Sequence, residues 1–389
     1  MRASLITSPL VAVFVGFGGT AALIIAASQA VGASPVQTAT WITGLCLAVG
    51  ATSVIMSLVF RMPIVAAWST PGAALIAATA VGGVPVFGIE AAVGAFLFAG
   101  ALVLLSALVK PLATLIETIP GTLASAMLAG VLIGFSIAVF DAARVDPLLV
   151  LPQVAVFLVV RMVSATWAVI AVLAASVAWA ALLGKVTPIE TGVALAELQF
   201  VMPKFELSAL IGLGVPLFLV SMASQNLPGF AVLRAAGYTP PVRPALAATG
   251  LASMLTAPFG AHTTTMAAIT GALCTGPDTH PDPARRWVAG IVYGVGYLIL
   301  AGVGVSVVAG FAALPSEIII TVAGLALVGP LMSALAAAMA PEETRFPAVL
   351  TIVATASSLS LFGVGSAFWG LVLGLLVLLL DRLRDRLRR

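Results

Sequence analysis

The polar residues best able to do chemistry stand in three short stretches of an otherwise apolar chain: WSTPGAAL at 68–75, MASQNLPG at 222–229 and PFGAHTTTMAAITGAL at 258–273. His262 heads the candidates. It is one of two histidines, and the other, His280, lies in the loop TGPDTHPDPARR. An ionisable group inside a membrane span is a functional residue by default, and imidazole titrates at about pH 6.5. Burial opposes its charged form and a bound carboxylate favours it, so proton and anion binding would be linked. The competing role is a neutral hydrogen-bonding side chain. Thr70, Thr263, Thr264 and Thr265 can donate hydroxyls to a carboxylate or cap helices. Gln225 and Asn226 are amides near the end of a span, fit to touch substrate or to join helices. Gln29 closes another span in the same Ala-Ser-Gln setting. Trp68 and Phe259 offer rings to an aromatic substrate, or else to the core.

Glu90, one turn inside a span, is the rival proton carrier, because a carboxyl group in a low-dielectric site holds its proton more readily than in water. Asp141 and Arg144 are spaced to pair along a helix. Glu117 and Glu317 precede helices, where negative charge suits the amino end. Cys46 and Cys274 read as buried small hydrophobes, in neither a metal site nor a disulfide. There is no HExxH, no GxSxG and no paired acidic motif, so neither an enzyme nor a cofactor or metal is expected.

Broken helices must position these groups. The segment RMPIVAAWSTPGAALIAATAVGG is extended from Pro63 to Trp68. It then starts a short helix, with Thr70 suited to the cap and Pro71-Gly72 to the first turn. In APFGAHTTTMAAITGALCTG, Pro258 and Gly260 break the chain and the threonine run opens a second short helix. Each half-helix has about a dozen residues, too few to cross a bilayer. Broken backbone at that depth is tolerated only inside protein or along a cavity. Two helix amino ends would meet at mid-membrane from opposite sides. Each presents free N–H groups and roughly half a positive charge, which favours an anion.

The composition sets the medium. Of the 389 residues, 61% are hydrophobic and 8% charged, against roughly 25% charged in soluble domains. Mean hydropathy is +1.21. That excludes an ordinary soluble enzyme, a disordered protein and a nucleic-acid binder. The net charge is only +3, and five of the 17 basic residues fall in the last eight positions, a tail suited to a membrane surface.

Fourteen apolar segments lie near 9–29, 40–60, 63–82, 87–109, 119–140, 148–162, 165–183, 208–226, 243–257, 259–276, 286–309, 317–335, 346–362 and 364–380. With both termini cytoplasmic, 14 of the 17 basic residues fall inside, Lys110 among them, and Arg144, Lys185 and Lys204 outside. The polar stretch from Gly184 to Glu206 marks a seam at the midpoint. Three matches join the halves. Ala27–Gln29 matches Ala223–Gln225 at an offset of 196, TPGAALIA matches TTMAAITG at 194, and 119–134 matches 314–329 at 195. On this alignment Trp68 falls opposite His262. Seven segments per half is an odd number, so the second half is inverted, as in secondary transporters.

The three polar stretches together resemble the benzoate:proton symporters, related more distantly to uracil:proton symporters and to sulfate/bicarbonate transporters. The likeness extends over the whole chain, and Ser-Gln-Asn-Leu-Pro-Gly and Ala-His-Thr-Thr-Thr are its specific parts. It implies an all-α membrane protein of 14 transmembrane segments as 7+7 inverted repeats. Segments 3 and 10 would be broken into short antiparallel β-strands plus half-helices. A core domain would comprise 1–112 and 205–310. A gate domain would comprise 113–204 and 311–389, including the basic tail. The core would move against the gate.

The implied function is proton-coupled uptake of benzoate or a similar aromatic carboxylate across a bacterial inner membrane. The partners would be the anion, protons and the lipid bilayer, with a homodimer left open and no nucleic acid. The alternative is another anion carrier or exchanger, for sulfate, bicarbonate or a dicarboxylate. Where the uracil branch carries acidic residues, this chain has Gln225 and His262. A niche without carboxylates suits an anion and leaves His262 and Glu90 as candidate proton carriers. The implied substrate contacts are His262, Thr263, Thr264, Gln225, Asn226, Thr70, Pro71, Gly72, Trp68 and Gln29.

Overall fold

The computed structural model describes residues 3–18, 20–80, 84–109, 121–187, 198–357, 359, 361 and 366–387. Lys110, Glu117, the expected domain boundary at 112/113 and the middle of the polar seam, 188–197, lie outside the described residues. Along the chain run α1 (Ser4–Gly18), α2 (Ala21–Ala30), α3 (Pro35–Phe60), β1 (Ala66–Trp68), α4 (Thr70–Ala77), α5 (Ile89–Leu108), α6 (Gly121–Val145), α7 (Pro147–Val163) and α8 (Ala165–Leu182). The second half holds α9 (Leu207–Ala235), α10 (Val242–Thr256), β2 (Thr264–Met266), α11 (Ile269–Thr275), α12 (Trp287–Gly302), α13 (Gly304–Ala312), α14 (Ser316–Met339), α15 (Arg345–Ala356) and α16 (Ser366–Leu387).

Among the described residues six helical stretches are long and apolar enough to cross a membrane, counting Ser4–Ala30 as one. The pair α12 and α13, bent by 68°, makes a seventh if taken together.

Local chemistry fixes the ends. Ser34 and Gln37 form a reciprocal capping box at the start of α3, with Pro35 in the first turn. The helix stops at Arg61, which takes a left-handed conformation (φ 52°). Inside α9 two wide π-turns, Leu210–Gly214 and Met222–Asn226, run up to Pro216 and Pro228. Each proline lacks the N–H of a normal turn and crowds the carbonyl four residues back, so the helix widens there.

Packing follows small residues. α3 lies on α12 and α10 on α5. A Cβ built on Gly50 would fall 2.8 Å from the carbonyl of Gly294, and one on Gly250 2.6 Å from the amide of Leu104. Both crossings therefore bring backbone against backbone, the usual device where lipid removes the hydrophobic drive between helices. Elsewhere α6 packs on α14 and α15, α15 on α16, and α7 on α8.

Three local expectations differ from the structure. The cap of α4 is Ser69, whose Oγ accepts the Gly72 N–H at 3.0 Å, and Thr70 is already helical. Serine one residue earlier reaches the same donor, so Thr70 is released from capping. The threonine run is strand β2, and α11 begins only at Ile269, with no side-chain cap. Consecutive β-branched residues favour the extended state. The half-helices are therefore 8 and 7 residues long instead of about a dozen. The strands are also not spaced by the expected offset of 194: β1 starts at Ala66 and β2 at Thr264, 198 positions on, and the two pair with Trp68 opposite Thr264.

Candidate functional site

Strands β1 and β2 pair antiparallel, with Ala66 opposite Met266, Ala67 opposite Thr265 and Trp68 opposite Thr264. Backbone bonds extend the pair at both ends, from Ser69 N–H to Thr263 O and from Ala267 N–H to Val65 O, both 3.0 Å. Two serines hold the strands from the flanking helices. Ser53 of α3 accepts the Ala66 N–H at 2.9 Å and donates to Val49 O at 2.7 Å. Ser253 of α10 accepts the Thr264 N–H at 2.8 Å and donates to Thr249 O at 2.7 Å. Each pairs a strand donor that water cannot reach; leaving one bare costs about 1–3 kcal/mol.

His262 sits two residues before β2 and is fully buried. The Trp41 indole N–H donates to its Nδ1 at 3.1 Å, and its Nε2 lies 3.0 Å from the Ser69 carbonyl oxygen. The rings of Trp41 and Phe96 flank it at 6.0 and 6.4 Å. Trp41 carried no signal in the sequence, since its partner stands 221 positions away.

The remaining candidates divide into engaged and free groups. Asn226 Oδ1 accepts the Met266 N–H at 2.8 Å, so this amide joins α9 to β2. Thr263 shares a hydroxyl bond of 2.8 Å with Ser221, and Thr265 donates to Ala67 O at 3.1 Å. Thr264 Oγ1 is buried without a partner. Trp68 donates its N–H to Thr20 at 2.9 Å and stands edge-on to Phe17 and Tyr297, enclosed by core. Gly72 is wedged between Leu217 and Ser69, beside buried Pro71. Phe259 meets Phe200 edge-on.

Around the strand pair, Ala67, Thr70, Ala268 and the α9 run Ala223–Gln225 keep partial exposure. Thr70 follows the cap directly, and Ser69 already holds the N–H groups of Gly72 and Ala73. Among the described residues, the Thr70 hydroxyl and the Gln225 amide are the candidate groups that combine partial exposure with no side-chain bond in the protein.

Gln29 and Glu90 are placed elsewhere. Gln29 is exposed in the last turn of α2, whereas Gln225 lies in mid-helix because α9 runs on to Ala235. The two are not equivalent positions. Glu90 is in the first turn of α5, half exposed, and pairs with Lys204 at 3.3 Å. Asp141 and Arg144 pair at 3.2 Å on α6, as their spacing predicts.

A cavity of about 230 Å³ opens at the far end of α4. Leu75 and Thr79 meet Gly134 and Phe135 of α6, Gly212 of α9 and Thr355 of α15 there. Thr355 Oγ1 is buried and unpaired. The space is large enough for a small aromatic ring, and its lining is apolar with a few hydroxyls.

The family model described as benzoate membrane transport protein matches residues 1–380. Inner membrane protein YdcO of Escherichia coli K12 is 37% identical over 378 residues, covering 97% of this chain and 96% of the relative. The benzoate membrane transport protein of Acinetobacter baylyi is 34% identical over 365 residues, covering 94% and 92%. Among solved structures, the transmembrane domain of the cyanobacterial bicarbonate transporter BicA superposes with a TM-score of 0.58 at 13% identity, covering 96% of this chain and 98% of that one. SLC26A9 superposes at 0.64 with 12% identity, covering 97% of this chain and 66% of that one. These two share the fold.

Proposed function

Given that the chain belongs to the benzoate membrane transport protein family, a family of membrane transporters and not of enzymes, we propose that it imports benzoate or a similar aromatic carboxylate with protons. Transport would run by alternating access across a bacterial inner membrane. The observation that carries this reading is the strand pair with its helix α4. The first turn of α4 leaves Thr70 uncommitted beside the cap, and the α9 run Ala223–Gln225 keeps its exposure. A carboxylate there would accept from the Thr70 hydroxyl and the Gln225 amide and meet the positive end of α4. The cavity at the far end of α4, roughly 12 Å from that amino end by helix rise, would lie on the route by which the substrate reaches it.

The fourteen segments, as two inverted sets of seven, fit the same reading. The twin clamps Ser53 and Ser253 support it, as do the twin crossings at Gly50 and Gly250. The grouping of α6, α7, α14, α15 and α16 supports a gate separate from the core. Sulfate is the weaker fit. No lysine or arginine adjoins the strand pair among the described residues, and a doubly charged anion has more buried charge to offset than a carboxylate.

Purified protein in liposomes tests the proposal. Labelled benzoate should enter saturably and accumulate under an inward proton gradient, beyond the passive entry of benzoic acid measured in protein-free vesicles. Saturable uptake that ignores the gradient would overturn the symport. Saturable uptake of bicarbonate or sulfate without benzoate would overturn the substrate.

A further inference from the structure

We infer that Trp41 is a positioning residue for the substrate niche, and that His262 serves as an uncharged strut instead of the coupling proton carrier. The inference rests on the reading above, in which the amino end of α4 receives the carboxylate.

The hydrogen bonds decide the chemistry of the ring. An indole nitrogen can only donate and a carbonyl oxygen can only accept. Trp41 therefore requires a bare lone pair on His262 Nδ1, and the Ser69 carbonyl requires a proton on Nε2. One neutral tautomer satisfies both. A second proton on Nδ1 would face the Trp41 N–H donor to donor, breaking that bond and leaving a buried cation. Among the described residues the groups in contact with the ring are Trp41 from α3, Phe96 from α5 and the Ser69 carbonyl, and none of them is acidic. Without a carboxylate opposite, nothing there compensates the charge.

The strut acts on α4. Ser69 has all its polar groups committed: N–H to Thr263 O, carbonyl to His262 Nε2 and the Ala73 N–H, and Oγ to the Gly72 N–H. Thr263 in turn bonds Ser221 of α9. One chain of bonds thus runs from α3 through His262 and the cap of α4 to α9. It fixes where Thr70 points, and Trp41 holds its first link.

Nitrogen-15 NMR of histidine-labelled protein in bilayers gives the direct test, with His262→Gln identifying the His262 signals. The expected spectrum shows a bare Nδ1 and a protonated Nε2, unchanged between about pH 8 and 5. Uptake gives the second test. Trp41→Phe and His262→Ala should raise the KM for benzoate roughly five- to tenfold, one hydrogen bond's worth, with the pH profile retained. His262→Gln, whose amide replaces donor and acceptor without titrating, should recover the KM relative to His262→Ala and keep gradient-driven accumulation. A ring that titrates in the NMR series overturns the inference. So does a His262→Gln protein that exchanges benzoate across the membrane but no longer accumulates it under a gradient. Wild-type protein with no saturable benzoate uptake would instead defeat the substrate reading, and the NMR series would still decide the strut.

Discussion

In the proposed niche a carboxamide at position 225 brings no fixed negative charge, and replacing it tests the electrostatics directly. Gln225→Glu should lower benzoate uptake more than tenfold at neutral pH, where an ionised side chain repels the substrate. Relative to wild type, uptake should recover as pH falls towards the ordinary glutamate range of about 4.3. A loss that does not vary with pH would refute the electrostatic role. Thr70→Val keeps the shape and removes the hydroxyl, so it should raise KM several-fold with little change in maximal rate. Which polar stretches meet at the strand pair was legible at this scale, because Ser, Thr, Gln and His are conspicuous in an Ala- and Val-rich chain. Which atoms stay free was not. Asn226 and Thr263 look as available as Gln225 and Thr70 until the partners Met266 and Ser221, 40 and 42 positions away, are seen. Gln29 shares its neighbours with Gln225 yet ends a helix that its counterpart continues.

Breaks in segments three and ten were readable from Pro63, Pro71, Pro258 and Gly260, since proline and glycine interrupt helices for local reasons. The register between the breaks was not. Small apolar residues match one another at many shifts, and the sequence match gives 194 where the strand starts lie 198 positions apart. Only the pairing of Ala66 with Met266 fixes the register of the two strands. The serine clamps give the matching prediction. Ser53→Ala and Ser253→Ala should each lower thermal stability by a similar amount, about 1–3 kcal/mol, by stranding one strand N–H. Thermal melts in detergent measure it, and a loss from one substitution alone would show that the clamps are not equivalent. A surface turn offers a pH test. Asp146 caps α7 through the Leu149 N–H and pairs with Lys185. The bond from Lys185 holds its carboxyl below the usual range. Its contribution is therefore present above the unfolded value of about 3.9 and is lost as pH falls through the lower, folded one. Asp146→Asn should be less stable than wild type at neutral pH, with the gap closing in acid.

For the molecule as a whole, membrane residence and transporter class follow from composition and from two interrupted segments. How the helices group does not, because that depends on close crossings such as Gly50 with Gly294. The cavity beside α4 adds a test of passage. Gly134 lines the cavity and a Cβ there meets nothing within 4 Å, so Gly134→Leu adds bulk at the cavity from open space. It should cut the maximal rate of benzoate uptake while leaving the melting temperature near wild type. An unaltered rate would exclude that cavity from the route.

The strand pair spans three residues on each side and is hooked to α3 and α10 by serines. So short a ribbon has no slack. Under the alternating access proposed above, it would act as a rivet, and the travel that turns the niche from one compartment to the other would belong to the seams between this riveted block and neighbouring helices.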